Sequence, residues 1–184
     1  MRLSNEDYDS EQTIVKESEM EKCISQLHFL FVLGCDPSST FIELLRPVIP
    51  LLLFIHCSIC NGVSNMRSLV KQILERYLKQ TSSYVALKII QAFIFGKSLG
   101  ANDLEGQDGD HDDNIYVPNR SILIRSGPCG GITAVSGVNS NILNDDIIAA
   151  ATVDLLNNEK ELKVKFYLEL LKHLSDMSLS LIHI

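Results

Sequence analysis

Residues 64–95 read SNMRSLVKQILERYLKQTSSYVALKIIQAFIF and predict two helices joined by a short polar link. In the first half, apolar residues recur three or four positions apart, which is the spacing of one helix face. Ser64 stands where it can cap this helix, and Thr81-Ser82-Ser83 can cap the next one. The second half, from Tyr84 onward, is almost entirely apolar and predicts a mostly buried helix. The stretch therefore predicts one antiparallel helix pair.

A second pair is predicted upstream of this one. Its first helix begins near Lys16 and is expected to end at Gly34, where a glycine can adopt positive φ. Turn residues follow, and Thr40 with Glu43 fits a capping box. The second helix should be kinked by its prolines, because each lacks an N–H group and clashes with the preceding turn. Residues 16–95 thus predict four helices in two pairs.

The whole chain divides by composition into six segments. The fold class expected from them is mainly α: an α-solenoid of HEAT- or ARM-like helix pairs, with an acidic disordered loop and a short β-prone insertion. The segments are a disordered acidic N-terminus (1–15), helical repeats (16–96), the acidic disordered loop (97–114), the irregular β-prone segment (115–143), a helix pair capped by Asn144 or Asp145 (144–177) and a tail (178–184). The tail has no stop signal, which suggests a fragment of a longer protein.

Charge is unevenly distributed along the 184 residues, whose net charge is -7. This sign argues against nucleic acid or anionic membrane as the partner of the whole molecule. Residues 61–100 carry net +5, whereas residues 101–114 carry net -6. The basic residues of the third helix that fall largely away from its apolar stripe, with Lys79 near its end, form a candidate partner-binding face: Arg67, Lys71, Arg76 and Lys79. Either a solvated face or a docking site for an acidic segment, including the chain's own acidic loop, fits this pattern.

Three stretches resemble chemical sites, and none meets the requirements of one. Cys57 and Cys60 form a CxxC after His56, but they lie near the end of an apolar helix, where the helix dipole disfavours a thiolate. Residues 108–114 resemble a calcium loop without its sixth-position glycine and twelfth-position glutamate. Residues 127–131 are glycine-rich without a nucleotide-binding fingerprint. We therefore predict no catalytic, cofactor-binding or metal-binding residues, and five reduced cysteines in a cytosolic protein.

The longest apolar stretch spans residues 47–60. Crossing a bilayer takes about 20 apolar residues, so this stretch is too short to span a membrane. A buried core helix is the favoured interpretation. Peripheral contact with a membrane surface stays open as an alternative.

Four segments in their order along the chain carry a family resemblance: Phe31 to Pro37, Leu44 to Leu52, Val63 to Arg67 and Gln72 to Leu78. Together they resemble the transport and Golgi organization protein 6 family, also called transmembrane and coiled-coil domain-containing protein 7. The resemblance extends over about residues 14–100 and implies a long HEAT-repeat scaffold without catalytic residues. It also implies that the protein binds other proteins and that it is located in the cytoplasm, in association with the Golgi or other membranes.

The function expected from this resemblance is a non-enzymatic scaffold for protein–protein interactions in protein secretion and Golgi organisation. Two alternatives remain at this point. One is an adaptor for assembly or nuclear import of RNA polymerase II, which fungal relatives suggest. The other is a peripheral membrane-associated helical element.

Overall fold

The computed structural model describes residues 12–62, 64–95, 122–136 and 143–182, with side chains described as far as residue 172. Seven α-helices and three strands form the described part of the chain, with one π-helical turn, Phe29–Leu33, after α1 and one 3-10 turn, Arg46–Val48, between α2 and α3. The helices are α1 Glu17–His28, α2 Ser39–Leu45, α3 Ile49–Ile59, α4 Met66–Gln80, α5 Ser83–Phe95, α6 Asp145–Leu156 and α7 Lys160–Ile182; the strands are β1 Thr13–Val15, β2 Ile122–Ser126 and β3 Ile132–Ser136.

The four helices predicted between residues 16 and 95 are confirmed. The first is α1 with its π-helical extension, the second is α2 and α3 together, and the third and fourth are α4 and α5. The disturbance predicted for the prolines is present at Pro47, where a 3-10 turn interrupts the second helix, whereas Pro50 is accommodated in the first turn of α3. No strand lies within the described residues of this range. The fold is mainly α, with a small sheet as an insertion.

Local capping explains where these helices begin. The Ser64 hydroxyl accepts a hydrogen bond from Met66 N at 3.2 Å, and the Ser82 hydroxyl accepts one from Val85 N at 3.4 Å. The capping box at Thr40 and Glu43 is wrong. Ser38 is the N-cap instead, accepting from Phe41 N at 3.3 Å, so α2 begins two residues earlier than expected. Asn144 caps α6 by accepting from Ile147 N at 2.8 Å.

Gly34 ends the first helix for a different reason from the one expected. Its φ is -71° and its ψ is -174°, an extended conformation open to any residue. The predicted positive φ is therefore wrong. A side chain is disfavoured because a Cβ atom here would lie 2.5 Å from the Leu30 carbonyl oxygen. The glycine allows the chain to leave the helix close to the preceding turn.

Three helices stack side by side and run in the same direction. His28 Nε2 lies 2.8 Å from Gln72 Oε1, and Arg76 reaches the Val32 carbonyl four residues further along, so α1 and α4 advance together. The same holds for α4 and α6, where Lys71 pairs with Asp154 and Glu75 pairs with Asn158. The first helix of each predicted pair thus forms one layer of a solenoid.

The second helices of the pairs form the other layer, in which α3 contacts α5 and α5 contacts α7. Both layers bury their facing sides in one continuous apolar core. Most of α3 lies inside it, with eight of its eleven residues buried. The α7 helix extends to Ile182, beyond the predicted end at residue 177 and into the segment expected to be a tail.

The sheet joins parts of the chain that are far apart in sequence. Its strand order is β1-β3-β2, with both neighbouring pairs antiparallel. The segment expected to be β-prone contributes the β2–β3 hairpin, in which Ile124 lies opposite Ala134. Residues 13–15, expected to be disordered, instead form the strand that pairs with β3. The acidic loop and residues 115–121 and 137–142 lie outside the described residues.

A glycine turn between β2 and β3 holds the carboxylate of Glu17. Gly131 N donates to Glu17 Oε1 at 2.6 Å, and Cys129 N lies 3.2 Å and 3.3 Å from the two carboxylate oxygens. A Cβ atom on Gly131 would lie 2.7 Å from Oε1, and Gly130 has a φ of 85°. Glycine is required here by close approach and by positive φ. The carboxylate fastens the hairpin to the first turn of α1.

We expect Glu17→Ala to lower the free energy of unfolding by about 1–3 kcal/mol, because two backbone N–H groups lose a charged acceptor. Chemical denaturation measures the loss, and hydrogen exchange should be faster at the amides of Cys129 and Gly131. Glu21→Ala removes an exposed carboxylate from the same helix and serves as the control. Equal stability of the two variants would contradict a role of Glu17 in holding the turn.

Candidate interaction surface

Helix α4 has one buried face and one polar face. Its buried residues recur at helical spacing and are at most 6% exposed: Met66, Val70, Ile73, Leu74, Tyr77 and Leu78. The polar face carries the four basic residues proposed as a partner-binding face, spread along its length and across its width. Burial raises the pKa of the Tyr77 phenol, which is consistent with its place in the core. The amphipathic pattern therefore fixes which side of α4 can meet another molecule.

Lys71 lies between α4 and α6. Its ammonium group donates to Asp154 Oδ2 at 2.8 Å, and the two side chains are 26% and 40% exposed. The hydrogen bond from Lys71 lowers the pKa of Asp154 below its ordinary value. This pair links the second and third helix pairs.

Arg76 lies on the opposite flank, towards the first helix pair. One guanidinium nitrogen is 3.1 Å from Asp36 Oδ1, and another donates to the Val32 carbonyl at 3.3 Å. Val32 lies in the π-helical turn after α1, and Asp36 lies in the link before α2. One side chain thus fixes both the end of the first helix and the link that follows it.

The remaining two basic residues are more exposed. Lys79 Nζ lies 3.3 Å from Glu159 Oε1, at the start of α7, without hydrogen-bond geometry, and its side chain is 57% exposed. Arg67 is exposed near the start of α4. The pKa of Asp154 is lowered mainly by the Lys71 hydrogen bond and that of His56 mainly by burial, and the charge of Arg67 adds a smaller lowering to both.

The four basic residues therefore lie on one helix, and three of them form ion pairs within the chain. Their role in binding a partner stays a prediction. The acidic loop that was expected to cover them lies outside the described residues. Sequence reasoning did not identify the internal acids Asp36, Asp154 and Glu159, because they are far from α4 in the chain. The only available signal was the net +5 of residues 61–100, which needs compensation from elsewhere.

A buried polar cluster lies where α3 meets α6. His56 is 1% exposed, and neither ring nitrogen has a hydrogen-bond partner within ordinary geometry. Burial lowers the pKa of His56 below its usual value of 6.5. Asp154 and the Ala151 backbone oppose that shift, whereas Lys71 and Arg67 add to it. His56 is therefore held neutral in the core at neutral pH.

Cys57 and Cys60 belong to the same cluster and pack against Ala151. They are 3% and 8% exposed, so both lie in the core, and neither forms a disulfide in this structure. Burial raises the pKa of Cys57 to about 12, so its thiolate is not available at neutral pH. The arrangement can pack but offers no reactive nucleophile.

The remaining stretches that resemble chemical sites are the calcium-like loop at 108–114 and the glycine-rich turn at 127–131. Among the described residues, no group of three or more His, Cys, Asp or Glu side chains could hold a metal ion. Residues 108–114 lie outside those ranges. The glycine turn at 127–131 holds no nucleotide motif, and its amides bind the Glu17 carboxylate instead.

One helical stretch in the described part, Ser39–Ile59, is long and apolar enough to cross a membrane by length and composition. It is longer than the apolar stretch 47–60 singled out in the sequence, because the helix begins before its prolines. Half of its apolar window is buried inside the fold, and α3 contributes most of that burial. A buried core helix passes the same test.

Removing the Lys71–Asp154 pair should reveal weak coupling. A double-mutant cycle with Lys71→Ala and Asp154→Ala is expected to give about 0.5–1 kcal/mol, because both side chains are partly exposed. The coupling should shrink as salt is raised. A cycle with Lys165→Ala and Glu161→Ala, a pair 2.6 Å apart within α7, is the control for an ion pair that links no layers. Coupling that salt leaves unchanged would contradict this account.

Acid should destabilise the protein through His56. Its pKa is lower in the folded than in the unfolded state, so unfolding takes up a proton as pH falls below 6.5. The free energy of unfolding is expected to be level above that pH and to fall below it, before carboxylates begin to titrate. His56→Leu should flatten the profile between pH 6.5 and about 5. An unchanged slope in this variant, measured by denaturation at each pH, would show that other groups cause it.

The comparisons with known proteins agree with this architecture. A sequence model of the family described as Transport and Golgi organization protein 6 homolog, ARM-like repeat, matches residues 1–177. No solved structure matches the chain. The match includes the helix pairs and the inserted hairpin alike, and it agrees with the resemblance carried by the segments between Phe31 and Leu78. The chain therefore belongs to the Transport and Golgi organization protein 6 homolog family and contains its ARM-like repeat.

Proposed function

We propose that this chain is a non-enzymatic scaffold that mediates protein–protein interactions in protein secretion and Golgi organisation. We further propose that it works in the cytoplasm, in association with the Golgi or other membranes. The observation that carries the proposal is the family match over residues 1–177, since ARM-like repeats are stacks of helices that present extended surfaces to protein partners. The secretory role rests on the family's name.

The buried cluster at the α3–α6 interface supports a role without catalysis. A catalytic group needs contact with a substrate and a pKa near the working pH. His56 and Cys57 are almost fully buried, and the thiol pKa of about 12 keeps Cys57 protonated. The groups that could look reactive in the sequence therefore serve packing.

The basic face of α4 is our candidate docking site for an acidic protein segment. Arg67 and Lys79 carry the proposal, because they are the most exposed of the four. Lys71 and Arg76 add to the positive electrostatic potential of this face, although they pair with Asp154 and Asp36. Exposed ion pairs are worth about 0–1 kcal/mol each, so an incoming acidic segment can compete with them at low salt. We also propose that residues 101–114, with net -6, compete as a loose cover.

Affinity purification with mass spectrometry from cell lysate tests the proposal. We expect Arg67→Ser with Lys79→Ser to lose those partners whose recovery falls with salt, because charge attracts them. Deleting residues 103–113 should increase recovery of the same partners at low salt, and the gain should fade as salt rises. Both variants need native helicity by circular dichroism.

The matched control is Lys22→Ser with Lys172→Ser, which removes two exposed charges from other helices. It should recover all partners. Identical recovery from the wild type, the deletion and the Arg67 and Lys79 variant at low salt would overturn the docking site. Recovery of no secretory or Golgi protein by any form would count against the proposed process.

A peripheral membrane element is the second candidate, favoured by the apolar helix Ser39–Ile59. Membrane contact would require the buried half of this helix to leave the core. Flotation with liposomes separates the two candidates, since a scaffold of this fold should stay with the unbound fraction.

A further inference from the structure

Helix α6 takes part in two separate apolar clusters. Near its C-terminal end, Leu155 and Leu156 are buried in the main core. Nearer its N-terminal end, Ala151 packs against Cys57 and Cys60 of α3 in a second, smaller cluster, around which the larger residues are only partly buried: Phe93, Leu143 and Ile147. Small side chains bury little apolar area and therefore stabilise a contact less than leucines do. The first part of α6, as far as Ala151, is thus the less firmly packed part.

Polar contacts to α4 anchor the other part of α6. Asp154 accepts a hydrogen bond from Lys71 at 2.8 Å, and Asn158, just after the helix, donates to Glu75 at 2.8 Å. Both contacts lie beyond Ala151 in the chain. A motion confined to the first part of α6 can therefore leave them in place.

His56 of α3 is buried beside this first part of α6 without a hydrogen-bond partner in ordinary geometry. Its side chain is 1% exposed, and both ring nitrogens are unsatisfied. The other buried histidine of the described residues, His28, has Gln72 Oε1 at 2.8 Å from its Nε2. A buried polar group without a partner has lost its hydrogen bonds to water and gained none in exchange. Opening the α3–α6 contact would return water to His56.

A proton on His56 would make the closed contact still less favourable. Burial disfavours the charged ring most strongly, and the cations Lys71 and Arg67 of α4 disfavour it further. Asp154 and the Ala151 backbone favour the charged ring, but Lys71 already holds the Asp154 carboxylate. A third positive charge in this place is therefore poorly compensated.

The other elements around His56 offer no free acid to compensate it. The remaining elements in contact with α3 each carry one charged side chain, and all three are cations: Arg46 in the 3-10 turn, Lys88 in α5 and Arg125 in β2. On α4, Glu75 is held by Asn158. On α6, Asp145 and Asp146 are exposed in the first turn. The ring is thus better accommodated in water than in the closed contact once it is charged.

We propose that His56 is a proton-sensitive switch in the α3–α6 contact: when its ring takes up a proton, the first part of α6 opens away from α3 while the other helices stay stacked. The switch goes beyond the proposed scaffold function and does not depend on it, because it concerns how the fold itself responds to pH. In the open form, Cys57 and Cys60 are exposed to solvent together with His56.

The sign and size of the response follow from linkage between opening and protonation. Burial holds the pKa of His56 below 6.5 in the closed form, whereas the solvated ring of the open form has the ordinary value. The open form therefore binds the proton first as pH falls, and its share rises by up to about tenfold from about pH 7.5 to about pH 5.5. The Lys71 hydrogen bond keeps the pKa of Asp154 below its ordinary value of 3.8, so Asp154 stays ionised over this range.

Native-state hydrogen exchange of the full chain at these two pH values tests the switch. Protection factors, corrected for the intrinsic exchange rate at each pH, are compared between the amides around Ala151 and those around Ile73 of α4. The α6 amides should lose protection by up to about tenfold at the lower pH. They should also stay less protected than the α4 amides and depend little on low concentrations of urea, which marks local opening instead of global unfolding.

His56→Leu removes the titrating ring, so the protection of the α6 amides should then be the same at both pH values. His56→Gln, which keeps a polar but uncharged side chain, should behave alike and covers the case in which leucine does not fit. The matched control is His28→Leu, which removes the buried histidine between α1 and α4 and should keep the pH response of α6. Circular dichroism establishes that each variant is folded.

Two results would overturn the switch. One is α6 protection that is independent of pH in the wild type, or that changes as much in the folded His56 variants as in the wild type. The other is equal protection of the α6 and α4 amides at both pH values, because the proton would then act through global unfolding alone.

Discussion

The buried face of α4 is the contact on which the rest of the fold depends. Val70, Ile73 and Leu74 have no exposed surface, and α4 contacts α1, α3 and α6. Each of these helices has its own apolar side, which would be exposed to water without α4. Truncating a fully buried Leu or Ile to Ala costs about 2–5 kcal/mol in such cores. The polar groups of α4 then fix how the neighbouring segments are oriented against it, because Lys71, Arg76 and Lys79 each meet a carboxylate of a different segment.

The inserted hairpin belongs to this core although it is distant in sequence. Ile132 is fully buried within the main apolar cluster, and Asn65 N donates to the Gly130 carbonyl at 3.1 Å just before α4 begins. Glu17 holds the same turn against α1. The insertion between the second and third helix pairs therefore returns to the first pair and to the start of the second. A repeat stack usually couples neighbours only; here the sheet adds a contact between non-neighbours.

The helices were predicted correctly from local sequence patterns. Contacts between residues that are distant in the sequence could not be predicted in this way. Apolar spacing and the hydroxyls of Ser64 and Ser82 report interactions within one turn, so the sequence contains everything needed to see them. The cap of α2 was misplaced by two residues because Ser38 and Thr40 offer the same chemistry. The strand at residues 13–15 needed β3, about 120 residues away. Likewise, the basic residues of α4 were recognised, but their acids become visible only once the helices stack.

The internal ion pairs limit what the basic face of α4 can contribute to binding. An acidic partner that meets Lys71 or Arg76 must displace Asp154 or Asp36, exchanging one partly exposed ion pair for another of similar strength. The net gain at these positions is small, and separating Lys71 from Asp154 would also loosen the contact between two helix pairs. Among the described residues, no carboxylate lies at hydrogen-bond distance from Arg67. A partner that binds Arg67 therefore does not have to displace an internal acid. Affinity for an acidic segment should therefore be concentrated at Arg67 and Lys79, the exposed cations near the two ends of α4, whereas Lys71 and Arg76 add mainly to its salt dependence.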